Sequence, residues 1–254
     1  MCTLTIHRSA HSTIITMNRD ELRTRTEDGV QHAKTPHNIE YLFPVDALSG
    51  GTWLGVNAYG IGGCLLNRYG DLHLRDNSDV ISRGKIIPPL LECRDLEGAY
   101  RCVGRLPLQR LRNFDLFLFD NKTTLQCIHK NGTGITKRIT SSWTMKSSSS
   151  WNTDPVVQYR QHKFAEYLSR AVCHQDIADS VLRDFHFADT GDNQFSVLMS
   201  RIGSHTKSVS QIVLDRRRII FRYFDERALG NVEADMRPVA LDSLGPTFSM
   251  LRHR

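Results

Sequence analysis

The order of predicted elements points to an α+β fold in which two mainly antiparallel sheets stack between two helical layers. Three observations carry that reading. Strand-like segments come in runs, broken by one helical block and later by a pair of helices, not in the strict strand–helix alternation of a parallel sheet. A β-branched, alternating strand begins at the extreme N-terminus and turns back as a hairpin. At 254 residues, 40% hydrophobic and 24% charged, the chain is long enough and ordinary enough in composition to bury a sizeable core. We read it as a single domain over residues 1–254, with a weakly patterned tail from about 230.

The elements follow in order. Cys2 to His7 and His11 to Asn18 form the hairpin, and Glu21 to Asp46, polar and without period, reads as a long loop. Thr52–Asn57 and Gly60–Asn67 are short strands joined at a glycine turn. Ile81 to Leu108 has helical spacing, with Pro88-Pro89 near its start. Phe114–Phe119, Leu125–His129 and Ile135–Ile139 are strands, the last two joined by Asn131-Gly132. Ser141 to Asp154 is serine-rich and reads as a loop carrying Trp143 and Trp151. Helices are predicted from Val156 to Cys173 and from about Asp176 to Phe185. Gln194–Met199, Ser208–Leu214 and Ile219–Phe224 close the list of strands.

The net charge of +6 is spread along the chain, densest at Arg216-Arg217-Arg218 and in the terminal Arg252-His253-Arg254. No basic stripe interleaved with aromatics is present, which argues against nucleic acid and leaves room for an anionic or carboxylate-bearing small molecule. The six cysteines include no C-x-x-C pair, and H-E-x-x-H is absent, so no metal or cofactor is expected. No stretch approaches 18 apolar residues, and Cys-Thr-Leu-Thr-Ile-His-Arg is not a signal sequence. A cytoplasmic protein with reduced thiols and no membrane span is the expectation.

Cys2 lies directly behind Met1. Removal of that methionine would put a thiol and a free α-amine on one residue, a nucleophile and its base together. The return strand ends in Asn18-Arg19-Asp20-Glu21, which brings a guanidinium and a carboxylate back beside the N-terminus. A carboxylate such as Asp20 can orient the amine, and Arg19 can lower a thiol pKa or clamp a substrate carboxylate. Asn67, at the end of its strand, is a candidate oxyanion donor.

Together these residues are more specific than apart. Met1-Cys2-Thr3-Leu4-Thr5, Asn18 to Arg25, Gly50-Gly51-Thr52-Trp53-Leu54-Gly55-Val56-Asn57 and Leu65-Leu66-Asn67-Arg68 resemble the NRDE family, whose eukaryotic members are the transport and Golgi organization 2 proteins. That family is similar to the cysteine branch of the N-terminal-nucleophile hydrolases, which includes penicillin V acylases and bile salt hydrolases. The resemblance implies a four-layer αββα sandwich with catalytic Cys2, Asp20 and Asn67. It implies a substrate site that draws on Asn18, Arg19, Trp53, Ser149 and Arg201. Met17 stands where those acylases keep an arginine, and Ser149-Ser150 where they keep an asparagine. The expected activity is hydrolysis of a non-peptide amide of a small acyl-amide through a thioester. The alternative is a non-catalytic carrier of a lipid-like, acyl or haem ligand.

Overall fold

A computed structural model describes residues 1–69, 80–171, 176–234 and 244–253. The chain is an α+β sandwich of two stacked antiparallel sheets with helices on the outer faces. The six-stranded sheet contains β1 (Cys2–Arg8), β2 (Thr13–Leu22), β10 (Trp143–Ser148), β11 (Ser204–Leu214), β12 (Arg218–Phe224) and β13 (Thr247–Leu251), in the order β10-β1-β2-β11-β12-β13. The seven-stranded sheet runs in chain order through β3 (Glu27–Lys34), β4 (Glu40–Asp46), β5 (Leu54–Asn57), β6 (Gly62–Asn67), β7 (Phe114–Phe119), β8 (Thr124–Lys130) and β9 (Thr133–Ile139).

Strand alternation explains the layering. Cys2, Leu4 and Ile6 of β1 and Ile15 and Met17 of β2 point between the sheets, where they meet Leu54, Val56, Leu66, Phe117 and Phe119. On the far side of the seven-stranded sheet, α1 (Ile87–Leu90) and α2 (Leu96–Gly104) cover a second cluster that includes Leu116 and Leu118. On the far side of the six-stranded sheet, α3 (Thr153–Ala171) and α4 (Ile177–Val181) pack Phe164, Tyr167 and Val181 against Ile14 and Val197. A π-helical turn, Leu182–His186, follows α4. Helix α5 (Glu226–Ala234) adds Ala228 and Leu229 to a fourth cluster with Val209 and Phe224. Among the described residues no helix is long and apolar enough to cross a membrane.

Three segments differ from the sequence expectation. The expected Glu21–Asp46 loop contains β3 and β4. Strand β3 is polar because it lies at a sheet edge with exposed side chains, and a register shift near Gly29 (φ 75°) breaks its period. The serine-rich segment contains β10, whose backbone pairs along β1 while Ser147 turns to polar partners, so no apolar period marks it. Gln194–Met199, expected as a strand, is a turn. The carbonyls of Phe195 and Ser196 accept from Arg160 and that of Val197 accepts from Asn18, so side chains replace a neighbouring strand. In the tail, α5 and β13 are formed, whereas residues 235–243 and Cys173, the expected end of α3, lie outside the described residues.

Candidate active site

Cys2 is held on both sides, opposite Ser148 of β10 and Arg19 of β2. This doubly paired position fixes a residue that would otherwise fray. The period of two then divides its neighbours between the faces of the sheet. Cys2 and Arg19 face the space between the sheets, whereas Thr3, Asn18 and Asp20 face α3 and the π-helical turn.

Cys2, Arg19, Trp53 and Asn67 line a cavity of about 390 Å³. The Arg19 guanidinium lies 4.3 Å over the Trp53 ring, a cation–π contact. It also pairs with Glu27 at 2.6 Å and with Asp46. Arg25 reaches the same Asp46 at 2.6 Å. Burial would raise Asp46, but Arg25, Ser49 and Arg19 outweigh it and hold the carboxyl below its ordinary value. Arg83 and Arg112 stand on another wall of the cavity. Burial pulls the Arg83 guanidinium below its ordinary value. Among the described residues it meets no carboxylate, donating instead to the Asn113 carbonyl at 2.8 Å. Trp53 Nε1 is buried with no hydrogen-bond partner among the described residues.

The glycines of the Gly50–Asn57 segment shape this cavity. Gly50 adopts φ 58°, a left-handed conformation that glycine tolerates best. A Cβ on Gly51 would stand 2.7–2.8 Å from the Gly84 backbone, so only glycine lets the Arg83–Gly84 turn close against the segment that leads into β5. Asn57 ends the segment by donating to the carbonyls of Leu91 and Cys93, which ties the C-terminus of α1 to the sheet.

Met1 is buried at the mouth of the site. Its α-amine donates to the Asp20 carbonyl at 2.8 Å and to Tyr69 Oη at 3.2 Å, and Asn67 Nδ2 donates to the same Tyr69 oxygen at 3.1 Å. Burial lowers that amine, but Cys2, Tyr69 and Asp20 outweigh it and leave it above its ordinary value. Burial pushes the Cys2 thiol up, against the pull of the amine and Arg19. Met1 Sδ accepts from Arg201 Nη1 at 3.0 Å and from Ser149 Oγ at 3.3 Å. Arg201 is itself fixed by two bonds to the Gln194 carbonyl and lies 4.7 Å over Trp151. It lines a second cavity, about 690 Å³, which shares Met1 with the first.

The structure thus brings Cys2, Arg19, Trp53 and Asn67 together, with Ser149 and Arg201 one residue away across Met1. Asn18 is not among them. It is wholly buried on the helix-facing side, donating to the carbonyls of His186 and Val197 and accepting from the His186 ring. That network assigns the tautomer: His186 Nδ1 carries the proton and Nε2 accepts from Thr5 Oγ1 at 2.7 Å. The Asp20 carboxylate also faces the helices, accepting from Arg160 at 3.0 Å and from Thr206 at 2.7 Å. Arg160, Tyr69 and Arg83 escape a reading of the sequence by motif. For Arg160 a signal exists. It lies four residues after Val156 and four before Phe164, on the apolar stripe of α3, where an arginine needs a buried partner.

Solved structures that superpose on this chain include an amidase, an acylase and a bile acid hydrolase. A Caenorhabditis elegans N-acylethanolamine-hydrolyzing acid amidase ortholog superposes with a TM-score of 0.57 at 13% identity, covering 84% of this chain and 92% of that one. The penicillin V acylase of Agrobacterium tumefaciens gives 0.54 at 11% identity, with 89% and 83% covered. A variant of the conjugated bile acid hydrolase of Clostridium perfringens gives 0.52 at 10% identity, with 89% and 90% covered. No curated protein sequence matches the chain. At such identities the superpositions speak for the fold, and the sequence itself speaks for the family. Residues 1–219 match the family described as Transport and Golgi organisation 2, and the chain belongs to that family.

Proposed function

We propose that this protein is an N-terminal-cysteine hydrolase that cleaves a non-peptide amide of a small acyl-amide substrate. The observation that carries the reading is Cys2 on a doubly paired strand, facing a cavity shared with Arg19, Trp53 and Asn67. With Met1 attached, the raised thiol pKa keeps Cys2 protonated near neutral pH. Excision of Met1 moves the cationic amine onto Cys2 itself, shortening the distance over which it favours the thiolate. It also vacates the space between Ser149 and Arg201 and joins the two cavities that Met1 now separates.

In the proposed reaction the Cys2 thiolate attacks the amide carbonyl and its amine carries the thiol proton to the leaving amine. The carbon–nitrogen bond breaks to give a thioester on Cys2. Water, activated by the same amine, hydrolyses that thioester and frees the acid. Asn67 donates to the tetrahedral oxyanion, a contribution of about 2.7–4 kcal/mol for a well-placed donor. Asp20 acts through the backbone of the return strand and Arg160 holds it in place. Arg83 on the cavity wall, which pairs with no carboxylate among the described residues, favours a substrate with a carboxylate or similar anionic group.

A panel of small acyl-amides, run on the wild type and Cys2→Ala side by side, tests the reading. Turnover in the wild type with none in Cys2→Ala is expected, and unchanged turnover in Cys2→Ala would sink the mechanism. The raised Cys2 thiol pKa is the observation that favours the second reading, a non-catalytic carrier of an acyl, lipid-like or haem ligand. That reading expects ligand binding without turnover and Met1 retained in the purified protein. We propose a cytoplasmic location for either.

A further inference from the structure

A concavity larger than the one at Cys2 lies far from that residue. Along β6, Gly62 and Asn67 stand five residue steps apart, about 17 Å of strand. Turns that lead away from the Cys2 end surround a cavity of about 940 Å³. They come from Tyr59–Ile61, the segment before α2, the β7–β8 turn, the β11–β12 turn and the chain's last described residues.

Charge is unbalanced there. Arg94, Lys122, Arg216, Arg217 and Arg252 line the cavity, and none of the five makes an ion pair among the described residues. Two carboxylates share the lining, and both are engaged with backbone amides. Asp95 accepts from Gly98 N at 2.6 Å to cap α2, and Asp120 accepts from Lys122 N and Thr123 N at 2.6 Å. Five cations against two carboxylates leave three positive charges in one concave site.

The floor of the cavity is built by several links. Arg252 N donates to the Arg217 carbonyl at 2.9 Å and Arg252 Nη2 to Asn121 Oδ1 at 2.8 Å, so this one residue links two of the turns. Its Nε is buried with no hydrogen-bond partner among the described residues. His253 N donates to the Ala58 carbonyl at 2.8 Å, and the ring stands edge-on to Tyr59 at 5.1 Å. Arg216 and Arg217 remain exposed at the tip of their turn.

We propose that this cavity is a second ligand site, independent of the Cys2 reaction, that binds a soluble molecule carrying two or more phosphate groups. Guanidinium forks match phosphate oxygens in pairs, and four of the five cations are arginines. A single carboxylate would leave most of the charge uncompensated, whereas an oligophosphate balances it. The volume lies in the range of small-molecule sites.

Titration calorimetry with inorganic tripolyphosphate at 0.15 M salt tests the proposal on the full chain. Saturable binding is expected, weakened at least tenfold in the double variant Arg216→Ser, Arg217→Ser. The charge-matched control Arg105→Gln, Lys137→Gln, at exposed positions elsewhere, should change affinity less than twofold. Thermal melting of both double variants establishes that they fold, and Lys122→Gln supplies an independent single-site check. A second arm uses vesicles containing phosphatidic acid. Vesicle binding lost in the Arg216, Arg217 variant without a tripolyphosphate response overturns the soluble ligand and moves the phosphate to a lipid headgroup. No saturable binding in either arm overturns the site. Equal losses in the groove and control variants do the same, because net charge would then account for the binding.

Discussion

Arg160 Nη1 donates to Asp20 Oδ2 at 3.0 Å, and neither side chain retains any solvent exposure. The same guanidinium reaches Thr3 Oγ1 at 2.7 Å and Ser147 Oγ at 3.3 Å, so one helix residue ties together β1, β2 and β10 around Cys2. Removing one partner of a buried pair leaves the other charge unpaired. Arg160→Met should therefore cost on the order of 3–5 kcal/mol. Urea unfolding reads this directly, and a loss below about 1 kcal/mol would show that Asp20 finds another partner.

Acid sensitivity should centre on His186. Burial pulls it to about 3, so the folded protein holds it neutral between Asn18 and Thr5. In the unfolded chain the ring titrates near 6.5, and between these values the unfolded state binds the extra proton. Stability from this group is complete above about pH 6.5 and falls by about 1.4 kcal/mol per unit as the pH drops toward 3. Urea midpoints at pH 6.5, 5.5 and 4.5 should fall less steeply in His186→Gln than in the wild type. Parallel slopes would assign the acid sensitivity elsewhere.

Gly51→Ala should disturb the cavity wall. Its methyl group would meet backbone atoms of Gly84, which cannot rotate away as a side chain can. An overpacking cost of about 1–3 kcal/mol is expected, with the Arg83–Gly84 turn displaced. Wild-type stability combined with wild-type KM in this variant would contradict a role for that close approach.

Asn67→Ala should lower kcat on the order of a hundredfold with little change in KM, the pattern of a contact made in the transition state. Tyr69→Phe removes the oxygen shared by Asn67 and the Met1 amine. It should slow appearance of the mature N-terminus or turnover on it, read by mass spectrometry and steady-state kinetics. A rise in KM alone for Asn67→Ala would make it a binding residue.

The fold was legible where a run of apolar or β-branched residues is buried as a strand. Phe114–Phe119 matches β7 residue for residue, and the N-terminal hairpin falls in place. Edge strand β3 and polar strand β10 carry no such run, because one is exposed and the other faces a hydrogen-bond network. The site was legible where motif residues share one face of a strand. Cys2 and Arg19 meet because their register is that of a tight hairpin. The same rule of two sends Asn18 and the Asp20 side chain to the other face, a consequence that proximity in sequence conceals. Arg201 reaches the site from a distant turn, and its place depends on carbonyls that no motif encodes.

Under the proposed function, Cys2 becomes the nucleophile once Met1 is gone. The most direct measurement of that role is peptide mass spectrometry of the purified protein after brief exposure to an α-haloamide at pH 7. A chain that begins at Cys2 is expected, with the label on Cys2 well before the partly exposed Cys93 and Cys102. A chain that keeps Met1, or a Cys2 that labels more slowly than those two thiols, would contradict that role.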